Sequence, residues 1–177
     1  MTRYHPLLVA LHWLMAVMIV VALLMGNLAL DPLPNDHPDK IMALQGHMTV
    51  GVAILVLLLV RFVVRMRSEH PPIADAGHPV LNAVGRITHW LFYVLVFAMC
   101  ASGLATAFMA GLPGIVFGGS GDPLPRDFSG IFPREVHDEV SDLLIILILV
   151  HVAAAIYHQA FLKDSLLRRM WFGSRKQ

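Results

Sequence analysis

The sequence predicts an all-α integral membrane protein, a four-helix bundle that forms a single domain over residues 1–177. Hydrophobic residues make up 57% of the 177 residues, and the mean hydropathy is +0.69. Charged residues make up only 14%, against about 25% in a typical soluble domain. The charges lie in short clusters between long apolar runs, which is the pattern expected when apolar segments cross a bilayer.

Four apolar runs are long enough to cross the roughly 30 Å hydrocarbon core of a membrane as helices. They cover residues 7–30, 41–64, 81–109 and 137–162. The first run is too long for a secretory signal peptide, and His12 and Trp13 interrupt it early, so we expect it to remain as the first helix. The single cysteine, Cys100, lies inside an apolar run, which excludes a disulfide framework.

Basic residues indicate how the four runs are oriented. Ten of them flank one side of the predicted bundle: Arg3, Arg61, Arg65, Arg67, Arg86, Lys163, Arg168, Arg169, Arg175 and Lys176. Only three flank the other side: Lys40, Arg126 and Arg134. Because basic residues are retained on the cytoplasmic side of a membrane, this split predicts that both termini are cytoplasmic. The connections 31–40 and 111–134 would then lie outside, and the second is long enough to fold over the mouth of the bundle.

Histidines occur inside the apolar runs at two predicted depths. His137 and His151 lie fourteen residues apart, so on one helix they would face nearly the same direction about 21 Å apart. At the outer depth His137 is joined by His47, and at the inner depth His151 is joined by His12 and also by His89. An imidazole in lipid is costly and therefore indicates a functional site. The other histidines outside the runs are predicted to be solvated: His5, His37, His70 and His78.

Paired imidazoles at two depths of a membrane suit haem b. Its iron takes axial histidines, and its flat macrocycle is apolar enough to lie between helices. Two axial histidines leave no open position on iron, which favours electron transfer. Gly46, Gly51 and Gly103 would let a macrocycle approach the backbone, although ordinary helix packing explains these glycines equally well. A zinc or copper transporter would also use histidines, but a divalent-cation path usually carries central carboxylates.

Five segments carry a resemblance to a known family. They are YHPLLVALHWL (4–14), QGHMTVG (45–51), RFVVR (61–65), VHDE (136–139) and HVAAAIYHQAFLKDSLL (151–167). In this order, and over nearly the whole chain, they resemble the bacterial cytochrome b561 family of four-helix dihaem proteins, relatives of the cytochrome b subunits of nickel–iron hydrogenases. The resemblance implies two b haems, one held by His12 with His151 and the other by His47 with His137. Predicted depth alone also pairs His47 with His137. For the inner haem, predicted depth does not choose between His151 and His89.

The resemblance also implies a function. It predicts a cytochrome of the bacterial inner membrane that transfers single electrons across the bilayer to or from ubiquinone, and hence a quinone-linked oxidoreductase. Superoxide or a redox protein would be the partner at the outer face, membrane lipid would surround the chain, and no nucleic acid is expected to bind. Two alternatives remain: a haem b anchor and electron-transfer subunit for a dehydrogenase or hydrogenase, and a haem-free metal or proton transporter.

Two further residues are candidates for the inner site. His158 lies seven residues after His151, so it would share that face about 10 Å closer to the cytoplasm. An imidazole exchanges protons near neutral pH, and quinone reduction consumes protons, so His158 is the predicted catalytic residue. The alternative is an interfacial histidine that binds lipid headgroups. Arg61 would bind a propionate of the inner haem, or would extend to the interface as one of the retained basic residues.

The orientation is open to a labelling test. In intact cells, a cysteine that replaces Gln177 should be protected from a membrane-impermeant thiol reagent, whereas a cysteine placed within residues 111–134 should react. Labelling at Gln177 would reverse the assignment of the inner and outer sites.

Overall fold

The computed structural model describes residues 3–72, 77–164 and 166–173, and every regular element in them is helical. The helices are α1 (Pro6–Leu24), α2 (Lys40–Arg67), α3 (Pro79–Met109), α4 (Leu112–Val116), α5 (Phe132–Tyr157) and α6 (Leu166–Arg169). π-Helical turns extend α1 over Met25–Leu30 and α5 over His158–Leu162. By length and composition, four of these helices can cross a membrane: Pro6–Leu30, Lys40–Arg67, Pro79–Met109 and Phe132–Leu162. The predicted all-α class with four spans is therefore confirmed.

Proline and capping residues determine where the long helices begin. Pro6 and Pro79 lie in the first turns of α1 and α3, where a missing N–H has no helical partner to lose. The imidazoles of His5 and His78 cap these two helices, because each Nδ1 accepts a hydrogen bond from a backbone N–H two residues later, at 3.2 and 3.3 Å. The last long helix likewise begins at Phe132 rather than at the predicted His137, because its polar first turn precedes the apolar run.

The core lies where α1, α2, α3 and α5 face each other. α3 packs along α5, α1 packs along α2, and α2 also packs on α3. At mid-height the buried side chains of this central core are Met15, Ile54, Leu58, Val96, Cys100, Val140 and Leu144. Large apolar side chains such as Leu149 point outward and are exposed. An apolar exterior of this kind is suited to lipid rather than to water.

The first and last described residues, Arg3 and Gly173, lie at one end of the bundle, here called the terminal end. The indole N–H of Trp13 donates to the carbonyl of Met170 at 2.8 Å, and the backbone N–H of Tyr4 donates to the carbonyl of Arg169 at 3.2 Å. The Arg3 guanidinium donates to the Phe172 carbonyl. The segment after α5 therefore folds back across the start of α1. Arg175, Lys176 and Gln177, which enter the orientation argument, lie outside the described residues.

The opposite end, here called the loop end, carries residues 31–39 and 110–131. α3 ends at Met109, and Gly111 follows with a φ of +68°, a left-handed conformation that glycine adopts without strain. The chain then crosses the end of the bundle, and Leu112 and Val116 are buried against Leu30 and Leu44. These loops cover the mouth of the bundle in the way that their length predicts.

Candidate cofactor site

Four of the membrane histidines meet in two pairs, one near each end of the bundle. At the loop-end site, His47 of α2 faces His137 of α5 with ring centres 6.1 Å apart. At the terminal-end site, His12 of α1 faces His151 of α5 with ring centres 6.4 Å apart. His89 of α3 also joins the terminal-end site, with its ring centre 5.8 Å from that of His151.

One face of α5 connects the two sites. His137, Leu144, His151 and His158 follow each other at intervals of seven residues, and seven residues are close to two full turns of an α-helix. Leu144 is 1% exposed and belongs to the central core. An apolar layer therefore lies between the loop-end site and the terminal-end site.

Helix α3 supports the loop-end site with polar groups. Nδ1 of His137 lies 3.0 Å from the carbonyl oxygen of Met99 and 3.2 Å from the hydroxyl of Ser102. Gly103 lies directly beneath this ring, because a Cβ added there would be 2.9 Å from Cε1 of His137. Opposite it, Nδ1 of His47 is buried and makes no hydrogen bond to any described residue, although the Ala22 carbonyl is close by.

A cavity of about 1080 Å³ opens at the loop-end site. It is lined by His47, His137, Gly51 and Gly103, and it extends outward to Arg126 and Arg134. This volume is slightly above the roughly 300–1,000 Å³ typical of small-molecule and cofactor pockets. A Cβ added at Gly51 would meet nothing within 4 Å, so that glycine keeps space open, whereas Gly103 makes room for an imidazole. Gly46 serves packing, because its nearest neighbour is Met25 of α1 at 3.1 Å.

Aromatic and charged groups surround the terminal-end site. Trp13 and Phe92 contact the rings of His12 and His151 edge-on, with ring centres 5.3 and 5.2 Å away. The Arg61 guanidinium donates to the carbonyl of Leu8 at 2.7 Å. The Tyr93 hydroxyl is buried and makes no hydrogen bond within the described residues, although Arg61 is close by. Arg61 is thus anchored to the first turn of α1, near the terminal-end site.

The spacing within each histidine pair can be tested against haem. A metal–imidazole bond of about 2 Å places the centres of two rings on opposite sides of one iron about 6 Å apart. Both pairs fit this spacing. The buried polar atoms of His47 and Tyr93, which have no hydrogen-bond partner among the described residues, also suit a cofactor site. His89 fits the spacing to His151 as well as His12 does, so ring distances alone do not choose between them.

His158 begins the π-helical turn that ends α5. Its Nδ1 contacts a carboxylate oxygen of Asp164, whose other oxygen accepts the backbone N–H of Leu166. Lys163, between them, has a φ of +52°, which turns the chain sharply back. Asp164 therefore fixes the orientation of the His158 ring. The contact between the two residues requires this turn, so helical spacing does not predict it.

Charges concentrate at the loop-end mouth. Arg134 bridges Asp31 and Asp138, at 2.9 Å to each, and buried Lys40 donates to the carbonyls of Leu30 and Leu33 at 2.6 and 2.7 Å. Hydrogen bonds from Ser129 lower the pKa of Asp127, which keeps that carboxylate ionised.

At the terminal end, partial burial and then Arg65 lower the pKa of His70, so this histidine is neutral at pH 7.

Comparison with known proteins gives a consistent result. A family model described as prokaryotic cytochrome b561 matches residues 3–173. The chain is 26% identical over 172 residues to "Probable superoxide oxidase CybB" of Yersinia pestis, with 95% of each chain covered. It is 27% identical to "Cytochrome b561 homolog 2" of Escherichia coli (strain K12), covering 95% of this chain and 90% of the relative. It is 28% identical to "Cytochrome b562" of Cereibacter sphaeroides, with 94% of each covered.

The close approach of Gly103 to His137 leads to a prediction. Gly103→Ala should displace the His137 ring from α3, since the methyl group has no room, and should lower the haem b content of the purified chain by up to about half. Gly85→Ala in the same helix is the matched control, because a Cβ there meets nothing within 4 Å. Pyridine haemochrome assay of both variants makes the comparison, and equal haem content would contradict the assignment of Gly103.

Proposed function

We propose, since this chain belongs to the prokaryotic cytochrome b561 family, that it carries single electrons through the membrane between two b haems. The family is one of bacterial membrane cytochromes with haem b and a role in electron transfer. One observation supports two haems rather than one. Two imidazole pairs, with ring centres 6.1 and 6.4 Å apart, lie in opposite halves of one bundle and share helix α5.

In this proposal His47 and His137 hold one haem at the loop-end site, and His12 and His151 hold the other at the terminal-end site. Bound haem supplies reversible one-electron chemistry, while the protein sets its orientation and surroundings. His151 is assigned rather than His89 by the family resemblance. The Tyr93 hydroxyl and the Arg61 guanidinium beside the terminal-end site are the donors available to a haem propionate.

The remaining residues keep the two sites apart and oriented. Leu144 and the central core form an apolar layer between them, which would oppose proton passage through the middle of the bundle. The Met99 carbonyl can only accept a hydrogen bond, so it holds the proton of His137 on Nδ1 and leaves Nε2 for iron. Trp13 and Phe92 pack against the two terminal-end imidazoles and restrict their rotation.

The basic residues and one relative support a direction of electron transfer. The positive-inside rule puts the terminal end in the cytoplasm and the loop end outside the inner membrane. The name of the Yersinia pestis relative, "Probable superoxide oxidase CybB", supports superoxide as a one-electron donor at the loop end. Ubiquinone would then accept electrons at the terminal end, and the chain would be a quinone-linked oxidoreductase.

His158 would serve the quinone. It lies one heptad beyond His151 on α5, and Asp164 holds its Nδ1 side. A carboxylate in this position orients an imidazole so that its other nitrogen can donate a proton. In this scheme Nε2 of His158 delivers a proton to a quinone oxygen, and Asp164 stabilises the charged ring.

Haem stoichiometry tests the two-site arrangement. The purified chain should contain two low-spin b haems. Replacement of His12, His47, His137 or His151 by Ala should each lower the haem content by about half, because only one site loses a ligand. The control is His37→Ala in the loop between α1 and α2, which should keep both haems. A haem to protein ratio near one in the unaltered chain, or full haem content in His47→Ala, would refute the arrangement.

Quinone kinetics test His158. His158→Gln should keep both haems and fast haem reduction by an outer-face donor, but should transfer electrons to a soluble quinone analogue at least about tenfold more slowly. His37→Gln is the control for loss of an imidazole. The assay contains only the purified chain, so quinone reduction without another subunit would also argue against a pure anchoring role. Unchanged quinone kinetics would exclude His158 and direct attention to the loop-end cavity.

A further inference from the structure

The two imidazoles of the loop-end site have different surroundings. Ser102 of α3 is 7% exposed, and its hydroxyl donates to the carbonyl of Met99 at 3.1 Å. Both groups also face Nδ1 of His137, at 3.2 Å for the hydroxyl and 3.0 Å for the carbonyl. Nδ1 of His47, by contrast, makes no hydrogen bond to a described residue. The His137 side of this site therefore has a side-chain hydroxyl beside the imidazole, whereas the His47 side has the Ala22 carbonyl nearby.

Proton positions in this cluster are determined by the carbonyl. The Met99 carbonyl has no proton, so the atoms that face it must donate: Nδ1 of His137 and the hydroxyl of Ser102. Once the Ser102 proton points at Met99, the lone pairs of the hydroxyl are free to accept from Nδ1. The proton of His137 is thus shared by two acceptors. The side-chain-free surface of Gly103 lets the ring lie close enough to α3 for both contacts.

We propose that Ser102 is a positioning residue that strengthens electron donation by His137 and so lowers the reduction potential of the loop-end haem. This inference depends on the proposed function in one respect, namely that His137 binds haem iron. A hydrogen-bond acceptor on the Nδ1–H of a ligating imidazole makes its other nitrogen more basic. A more basic axial ligand stabilises the oxidised iron over the reduced iron, which is how surrounding hydrogen bonds tune haem potentials.

Helix α3 offers a matched control one turn away. Thr106 is also 7% exposed, and its hydroxyl also donates to a backbone carbonyl of α3, that of Ser102, at 2.9 Å. It forms no hydrogen bond to His137 within the described residues. Thr106→Val therefore removes a buried hydroxyl of the same kind without touching the imidazole.

The experiment is an optical redox titration of the purified protein with its haems bound. Ser102→Ala should retain both haems, raise the midpoint potential of one and leave the other unchanged. Ser102→Thr should restore the original potential, because it returns the hydroxyl. Thr106→Val should leave both potentials unchanged. A potential in Ser102→Ala that is unchanged or lower, or an equal rise in Thr106→Val, would overturn the proposal.

Two further variants separate the possible failures. If Ser102→Ala loses a haem, Ser102→Cys takes its place in the titration, because a thiol is a weaker hydrogen-bond donor and acceptor than a hydroxyl. A small rise in the midpoint potential of one haem would support the proposal, and no rise would overturn it. If His137→Ala keeps both haems, the ligand assignment itself is wrong, whatever Ser102→Ala shows. If His137→Ala loses one haem but Ser102→Ala leaves both potentials unchanged, the ligand assignment stands and the role of Ser102 is refuted.

Discussion

Imidazoles in the interior of a membrane bundle must bind something, because neither lipid nor apolar side chains can satisfy their nitrogens. This requirement organises the whole chain. The histidine pairs bring α1 and α2 against α5 at two heights. Where an imidazole ring meets a neighbouring backbone, a small residue such as Gly103 is required. Apolar side chains fill the layer between the two pairs. Both π-helical turns also adjoin these histidines. One keeps Gly26 against His47, and the other begins at His158. Such turns frequently occur at functional sites.

The two sites are built differently, although each has a pair of facing histidines. The loop-end site has hydrogen-bonding support from α3 and opens through a wide cavity toward charged residues. The terminal-end site is bordered by aromatic rings, by Arg61 and by a third imidazole, His89. Such different surroundings would give the two proposed haems different potentials and different access. In the proposed carrier, that inequality would distinguish the face that receives electrons from the face that releases them.

Helical periodicity explains why much of this could be predicted. The spacing of His137 and His151 translates directly into depth, and the structure brings each ring beside a partner from another helix. The roles of Ser102, Tyr93 and Asp164 could not be predicted in this way. They depend on how each helix is rotated about its axis, and in a membrane the outward face is as apolar as the core, so hydropathy carries little rotational information. Asp164 also needed the turn at Lys163, whose left-handed conformation has no signal in the sequence.

Leu144 occupies the point on α5 midway between His137 and His151, and it is almost completely enclosed. An apolar side chain at that point would oppose the passage of ions, whereas electrons can tunnel past it. Transfer between the proposed haems would therefore move negative charge alone, without a compensating ion. The free energy of moving one electron across the whole membrane would change by about 2.3 kcal/mol for each 100 mV of transmembrane voltage. Under the proposed function, electron transfer past Leu144 would separate charge across the membrane, and the redox equilibrium between the two sites would then depend on the transmembrane voltage.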